Sequence, residues 1–289
     1  MKRRTAGFLI GILVLVCVGL LVSVVYPFTT VDSHAATPPG ERFATGDADA
    51  YRASGRLVVD GEVRLAFEGV VTADGAWYQR FVDGNVVSES YQPVRNGTVY
   101  HRLQIQGGDA AERRREQIAE NEDTVLVETD REGDSVTFLV EENGTGVTQP
   151  VSGTASVFVN TLFVAGYEPS GADSSTGTGY EPQSGWYDGR ETYRLTDVSG
   201  EVRVAADTHV VRSANVSWDV TSPAGTYAEY VLVRSLTDEP TSYRTTFEFE
   251  PGDSDLERPA WVGDVNASEN HQVGARRVDA GLVRDARYS

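Results

Sequence analysis

One lysine, one cysteine, one methionine and four histidines are all that 289 residues hold of those types, and each scarcity removes a class of chemistry. Cys17 lies within an apolar run from Gly7 to Phe28, and no cysteine follows that run. The chain beyond Phe28 can therefore form neither a disulfide nor a thiolate metal site. Cys17 comes after Val14-Leu15-Val16 with more apolar residues behind it, whereas a lipid-modified cysteine closes such a run after a small residue; it reads as a small apolar membrane residue. His34, His101, His209 and His271 are scattered, none with a second His or Cys close in sequence, so no metal and no cofactor are expected. His101, after Tyr100 in an alternating stretch, reads as an ordinary surface or hydrogen-bonded residue. G-x-S-x-G, the G-x-x-x-x-G-K-S/T phosphate loop, H-E-x-x-H and the acidic calcium loop are all missing. No catalytic residue is assigned, and the expectation is a protein that is not an enzyme.

Positive charge is also scarce. Lys2, Arg3 and Arg4 precede the apolar run, and removing them from the total of 25 basic residues leaves 22 against 43 acids, a net charge of −21 beyond Phe28. Nucleic acid and anionic headgroups are repelled by such a surface, since binding either needs a basic stripe that releases counterions. In dilute buffer the self-repulsion opposes compaction, while at molar salt the screening length falls to ~3 Å. The composition fits a halophilic domain, one that folds in concentrated salt.

The apolar run is long enough to cross the ~30 Å hydrocarbon core as a helix. Basic flanks stay on the cytoplasmic side, so Met1 to Arg4 place everything after Phe28 outside the cell. A secretory signal has a shorter apolar region and a nearby small-x-small cleavage site. Here the nearest candidate, Ser33-His34-Ala35, lies beyond the run, and an uncleaved single-pass anchor in the cell membrane is expected. Export makes the sequons at Asn96, Asn143, Asn215 and Asn266 usable for glycosylation.

The organisation expected is an anchor over residues 1–28, a linker over 29–45, a β-rich domain over 46–263 and a disordered tail over 264–289. Period-two alternation begins at Tyr51: Val63, Leu65 and Phe67 share one face while Glu62, Arg64 and Glu68 take the other. Asp74-Gly75 and Asp83-Gly84 supply turns about a strand from Trp77 to Val82, and another strand runs from Val99 to Ile105. Ala110 to Glu122 reads as a solvated helix whose Arg113-Arg114-Arg115 pairs with acids a turn away. A hairpin of Thr124 to Val127 with Ser135 to Val140 follows. Val151 to Tyr167 has apolar residues at helical spacing, and Pro169 to Gly185 reads as an irregular loop. Strands are then expected near residues 190–196, 201–205, 213–220, 227–235 and 242–250. Phe67, Trp77, Phe81, Trp218, Tyr230, Phe247 and Phe249 fall on these strands, where they form core or line a cavity for an acyl chain or isoprenoid.

The first meander, from Gly55-Arg56-Leu57 through Trp77-Tyr78 to Tyr100-His101-Arg102, is followed by Gly189-Arg190-Glu191-Thr192-Tyr193-Arg194-Leu195, Gly200-Glu201-Val202, Asp207-Thr208-His209 and Pro259-Ala260-Trp261. In this layout the chain resembles the LolA-like group of lipoprotein carriers and envelope lipid-binding lipoproteins. The resemblance implies an α+β, mostly β fold: a strongly curved antiparallel sheet, an unclosed half-barrel, with one or two helices on its concave side around a hydrophobic cavity. It also implies a lipidic or hydrophobic ligand. Two rivals come from other classes, a secreted hydrolase using two carboxylates on the sheet and a cell-surface interaction module without a ligand. Protein partners are not specified by any motif.

Overall fold

The computed structural model describes residues 43–46, 48–171, 177–187, 193–224, 229, 232, 236 and 239–263. The apolar run, most of the linker, Tyr230, Asn266 and the tail lie outside the described residues. No helix among the described residues is long and apolar enough to cross a membrane.

Among the described residues, thirteen strands form one antiparallel, unclosed sheet. They are β1 (Tyr51–Val59), β2 (Glu62–Val71), β3 (Trp77–Asp83), β4 (Val86–Gln92), β5 (Val99–Gln106), β6 (Thr124–Glu132), β7 (Ser135–Glu142), β8 (Gly166–Pro169), β9 (Thr178–Gln183), β10 (Gly185–Tyr187), β11 (Tyr193–Val204), β12 (Val211–Val220) and β13 (Thr241–Pro251). Their order is β6-β7-β5-β4-β3-β2-β1-β13-β12-β11-β9-β8, with β10 paired to β11, so the path ends on two free edges, β6 and β8. Helices α1 (Gly108–Glu120) and α2 (Val151–Thr161) and a 3-10 turn (Leu162–Val164) stand between these strands in the chain.

The chain divides into two compact units. One holds residues 46–56, 63–156 and 248–289 and contains the meander from β2 to β7 with α1. Alternation on β5 buries Val99, Leu103 and Ile105, and Leu103 and Ile105 pack with Val136, Phe138 and Val140 of β7. Helix α1 caps this layer through Ala111 and Ile118, seven residues apart and so on one face. The helix expected to be wholly solvated thus has a narrow buried stripe, and its Arg114 donates to Gln117 at 3.1 Å rather than to an acid.

Trp77 is buried and donates its indole N–H to Gln92 Oε1 at 2.7 Å, while Gln92 Nε2 donates to the Gly97 carbonyl at 2.8 Å. That chain of bonds ties β3 to the Asn96-Gly97 turn. Gly144 packs on the same turn so closely that a Cβ there would lie 1.8 Å from the Gly97 oxygen. Gly144→Ala should therefore cost about 1–3 kcal/mol by overpacking, read as a lower urea midpoint in concentrated salt; an unchanged midpoint would show that the two turns separate freely.

The other unit holds residues 1–45, 57–62 and 157–247. Phe43, expected in the linker, is buried here against Tyr167 (4.9 Å, edge-on) and Tyr180 (5.8 Å, edge-on). Ala44 makes a parallel bridge to Val210. Strands β11 and β12 carry the core with Leu195, Val202, Val204, Val211 and Val216. Between Thr196 and Ser199 their register shifts, and Asp197 there takes φ 49°. Gly200 follows at φ 110°, where a Cβ would lie 1.9 Å from the Asn215 oxygen. Only glycine fits at that bulge.

Helix α2 ends at Thr161, short of the expected Tyr167, because Thr161 turns its hydroxyl to the Phe158 carbonyl at 2.7 Å as the 3-10 turn begins. The helix buries Val151, Ala155, Phe158 and Val159, the 3-10 turn buries Leu162, and the apolar Val157 is exposed. Residues 169–185, expected as a loop, contain β9, which pairs with β8 and β11. Tyr180 and Pro182 supply too few apolar positions for that strand to show in the sequence. Where a strand was expected over 227–235, the described residues Glu229 and Leu232 are helical and exposed.

Candidate functional site

The seven aromatic residues named from the sequence are distributed, not gathered. Phe67 on β2 and Phe81 on β3 are direct cross-strand partners. Trp77 is committed to Gln92, and Phe249 tilts against Tyr51 with centroids 5.2 Å apart. Phe247 is buried on β13. Trp218 lines an apolar pocket, and Tyr230 falls outside the described residues.

That pocket, about 400 Å³ in volume and half-open, is built within the unit that contains β11 and β12. Leu195 on β11 and Val220 on β12 are register partners, and Tyr193 and Trp218 stand two residues from each on the same faces. Trp218 stacks on Tyr243 of β13 at 6.3 Å and 8°. Leu57, Thr161 and Val164 complete the lining. Among the described residues, its polar side-chain groups are the Thr161 hydroxyl, the two tyrosine hydroxyls and the indole N–H, and none of its described lining side chains is charged. A concave apolar surface with a few hydroxyls takes up hydrophobic molecules, because displaced water is regained by bulk while the hydroxyls orient one polar end. Thr161 also shares a 3.2 Å hydrogen bond with Thr245, which fixes its hydroxyl. Tyr193, Leu57, Thr161, Val164 and Tyr243 are not among the cavity residues expected from the sequence, since nothing local marks a residue as lining a void.

A second cavity, about 340 Å³, lies in the other unit beneath the C-terminal half of α1. The sheet register aligns Gln79, Ser90, His101 and Val140 as neighbours across β3, β4, β5 and β7, so their side chains rise from one face in a row. Glu142 stands two residues beyond Val140 on that face. Ser90 Oγ lies 2.8 Å from His101 Nδ1, and His101 Nε2 lies 2.9 Å from Glu142 Oε2. The carboxylate can only accept, so Nε2 carries the proton and donates to Glu142, and Nδ1 accepts the Ser90 hydroxyl. Burial holds the imidazole below its ordinary pKa; the Glu142 hydrogen bond and charge pull the other way, and the Arg114 guanidinium lowers it further. His101 is thus hydrogen-bonded, as its sequence context suggested, but on both ring nitrogens and inside a cavity.

Asn96, Asn143 and Asn215 are exposed, Asn215 on the face of β12 opposite Trp218. Among the described residues, no group of three His, Cys, Asp or Glu side chains is placed to hold a metal ion. No family model, no curated protein and no solved structure matches the chain.

Proposed function

We propose that the protein is a membrane-anchored, extracytoplasmic domain of LolA-like kind that binds a hydrophobic or lipidic ligand in the pocket floored by Trp218 and Tyr243. In this reading the sheet is strongly curved with α2 on its concave side, the apolar run at residues 7–28 holds the protein in the cell membrane, and glycans occupy one or more of Asn96, Asn143 and Asn215. The observation that carries it is the pocket lining: the eight described residues carry no charge and enclose about 400 Å³. That volume lies within the ~300–1,000 Å³ range of small-molecule sites. A hydrolase that works with two carboxylates finds little support, since among the described residues no carboxyl lines this pocket and Glu142 is the only one lining the other cavity.

Full-length protein purified in mild detergent and analysed by native mass spectrometry is expected to carry a lipid adduct, and a fluorescent fatty acid should displace it. Trp218→Ala should weaken that probe by about tenfold or more, the loss of a large aromatic contact. A parent protein that carries no adduct and binds no probe would rule the ligand reading out. Carbonate washing should leave the protein in the membrane pellet; a soluble mature form beginning near Ala36 would refute the anchor.

A further inference from the structure

The row of Ser90, His101 and Glu142 has the connectivity of a nucleophilic serine site: hydroxyl to imidazole to carboxylate, at 2.8 and 2.9 Å, opening into a cavity of about 340 Å³. We infer that this cavity is a second, catalytic site in which Ser90 attacks the carbonyl of a small, uncharged carboxylic ester, His101 is the general base and Glu142 the positioning residue.

Three features separate this arrangement from a hydrogen bond that merely satisfies a buried histidine. First, Ser90 is 8 % exposed, and the His101 and Glu142 side chains are 22 % and 27 % exposed, so the groups are sheltered yet reachable from the cavity they line. Second, each member sits on its own strand of a rigid antiparallel ladder, which fixes the mutual geometry better than loops would. Third, Gln79 stands beside Ser90 on β3 and lines the same cavity, and its Oε1 is buried without a hydrogen-bond partner. With Oε1 buried, the Nε2 end of that amide is the one left to face the cavity, an N–H donor beside the nucleophile for the oxyanion of a tetrahedral intermediate.

The step balances without any added oxidant or reductant. Ser90 Oγ bonds to the acyl carbon as its proton moves to His101 Nδ1, while Nε2–H stays hydrogen-bonded to Glu142 and stabilises the imidazolium. Collapse breaks the bond to the alkoxy oxygen, which takes the proton from Nδ1 and leaves as the alcohol. Water then attacks the acyl-Ser90 carbon, giving its proton to Nδ1, and the proton returns to Oγ as the carboxylic acid departs. The substrate class follows from the surroundings: the polar lining of Gln79, Ser88, Gln117, Asn121 and Thr124 disfavours a long acyl chain, and the acidic exterior disfavours esters that already carry a carboxylate. The groups that titrate or carry charge about His101 are Glu142 from β7 and Arg114 from α1. Because burial keeps the imidazole neutral below its ordinary pKa, the base should stay active at mildly acid pH.

The site shares no residue with the apolar pocket, so its test is independent of ligand binding. Full-length protein in detergent and molar KCl is treated with a fluorophosphonate, and the modified peptide is identified by mass spectrometry. The expected result is a label on Ser90, with p-nitrophenyl acetate hydrolysed faster than p-nitrophenyl decanoate. His101→Gln should slow both labelling and turnover by at least about 100-fold, and Gln79→Leu should lower turnover by about 100-fold. Glu142→Gln should lower kcat and displace the pH profile, which a residue that only supports the fold would not do. The labelling needs no variant: a parent protein with a native near-ultraviolet spectrum that leaves Ser90 unmodified, or is labelled on another serine only, overturns the proposal.

Discussion

Raising KCl from dilute buffer to about 1 M should lift the thermal midpoint of this protein by about 10 °C, the shift that ~3 kcal/mol produces in a domain of this size. The cause is the net charge of −21 carried beyond Phe28. Acids crowd exposed faces: Glu248 and Glu250 alternate with the buried Phe247 and Phe249 on β13, and Glu128, Asp130 and Glu132 line the edge strand β6. At 0.1 M salt the screening length is ~10 Å, longer than the spacing of these groups along a strand, while at 1 M it is ~3 Å and neighbours cease to repel. The buried apolar core is unaffected by screening, although molar salt also strengthens apolar burial modestly. Sodium chloride should therefore act much as potassium chloride does. A midpoint that stays constant across the range, measured by circular dichroism on detergent-solubilised protein, would mean that the acids are compensated locally and that the chain is not adapted to salt.

The second large effect distinguishes core from pocket within one unit. Phe247 is 1 % exposed on β13, so Phe247→Ala should leave a sealed cavity and cost about 3–5 kcal/mol. Trp218 removes more atoms when truncated, yet Trp218→Ala should cost only about 2 kcal/mol, because it enlarges a void that already exists and reaches solvent. The smaller stability loss should come with the larger loss of fatty-acid probe binding. Urea unfolding in constant molar salt gives the first quantity and fluorescence titration the second. If Trp218→Ala proves as destabilising as Phe247→Ala while the parent binds no probe, Trp218 is core and the pocket has no ligand.

Legibility in the sequence followed the range over which each signal acts. The alternation on β2, β3, β5 and β13 is a two-residue pattern, and those strands stand where the alternation lies. The Asp83-Gly84 turn is likewise local. Strand β9 was not legible, since its sequence Thr178–Gln183 carries no alternation, and pairing on both flanks with β8 and β11 supplies what propensity does not. The stretch near Leu232 erred the other way: its aromatic and aliphatic residues suit a strand, yet the described residues there are helical, context overriding propensity.

Neither cavity was legible for a related reason. The pocket at Trp218 draws on Leu57, Thr161, Tyr193 and Tyr243, positions separated by up to most of the folded chain. Ser90, His101 and Glu142 are spread over three strands, and Ser88-Glu89-Ser90 resembles no nucleophile motif because the hydroxyl is presented by a flat strand and not by a sharp turn. His101 has no second histidine or cysteine close in sequence, and its hydroxyl partner lies one cross-strand position away, a relation that only the register defines.

Charge balance, the lack of thiols, the lone lysine and the β-rich character are sums or short-period patterns, and the sequence by itself determined them, since no folding is needed to count charges or to read every second residue. Which of 13 strands lie side by side, and in which register, depends on turns, bulges and the burial of faces far apart in the chain. The tertiary structure alone decided that a β4 serine meets a β5 histidine and a β7 glutamate, and that an indole and a phenol stack over an apolar void, because a one-residue slip in any of those ladders would turn the same side chains to the opposite face.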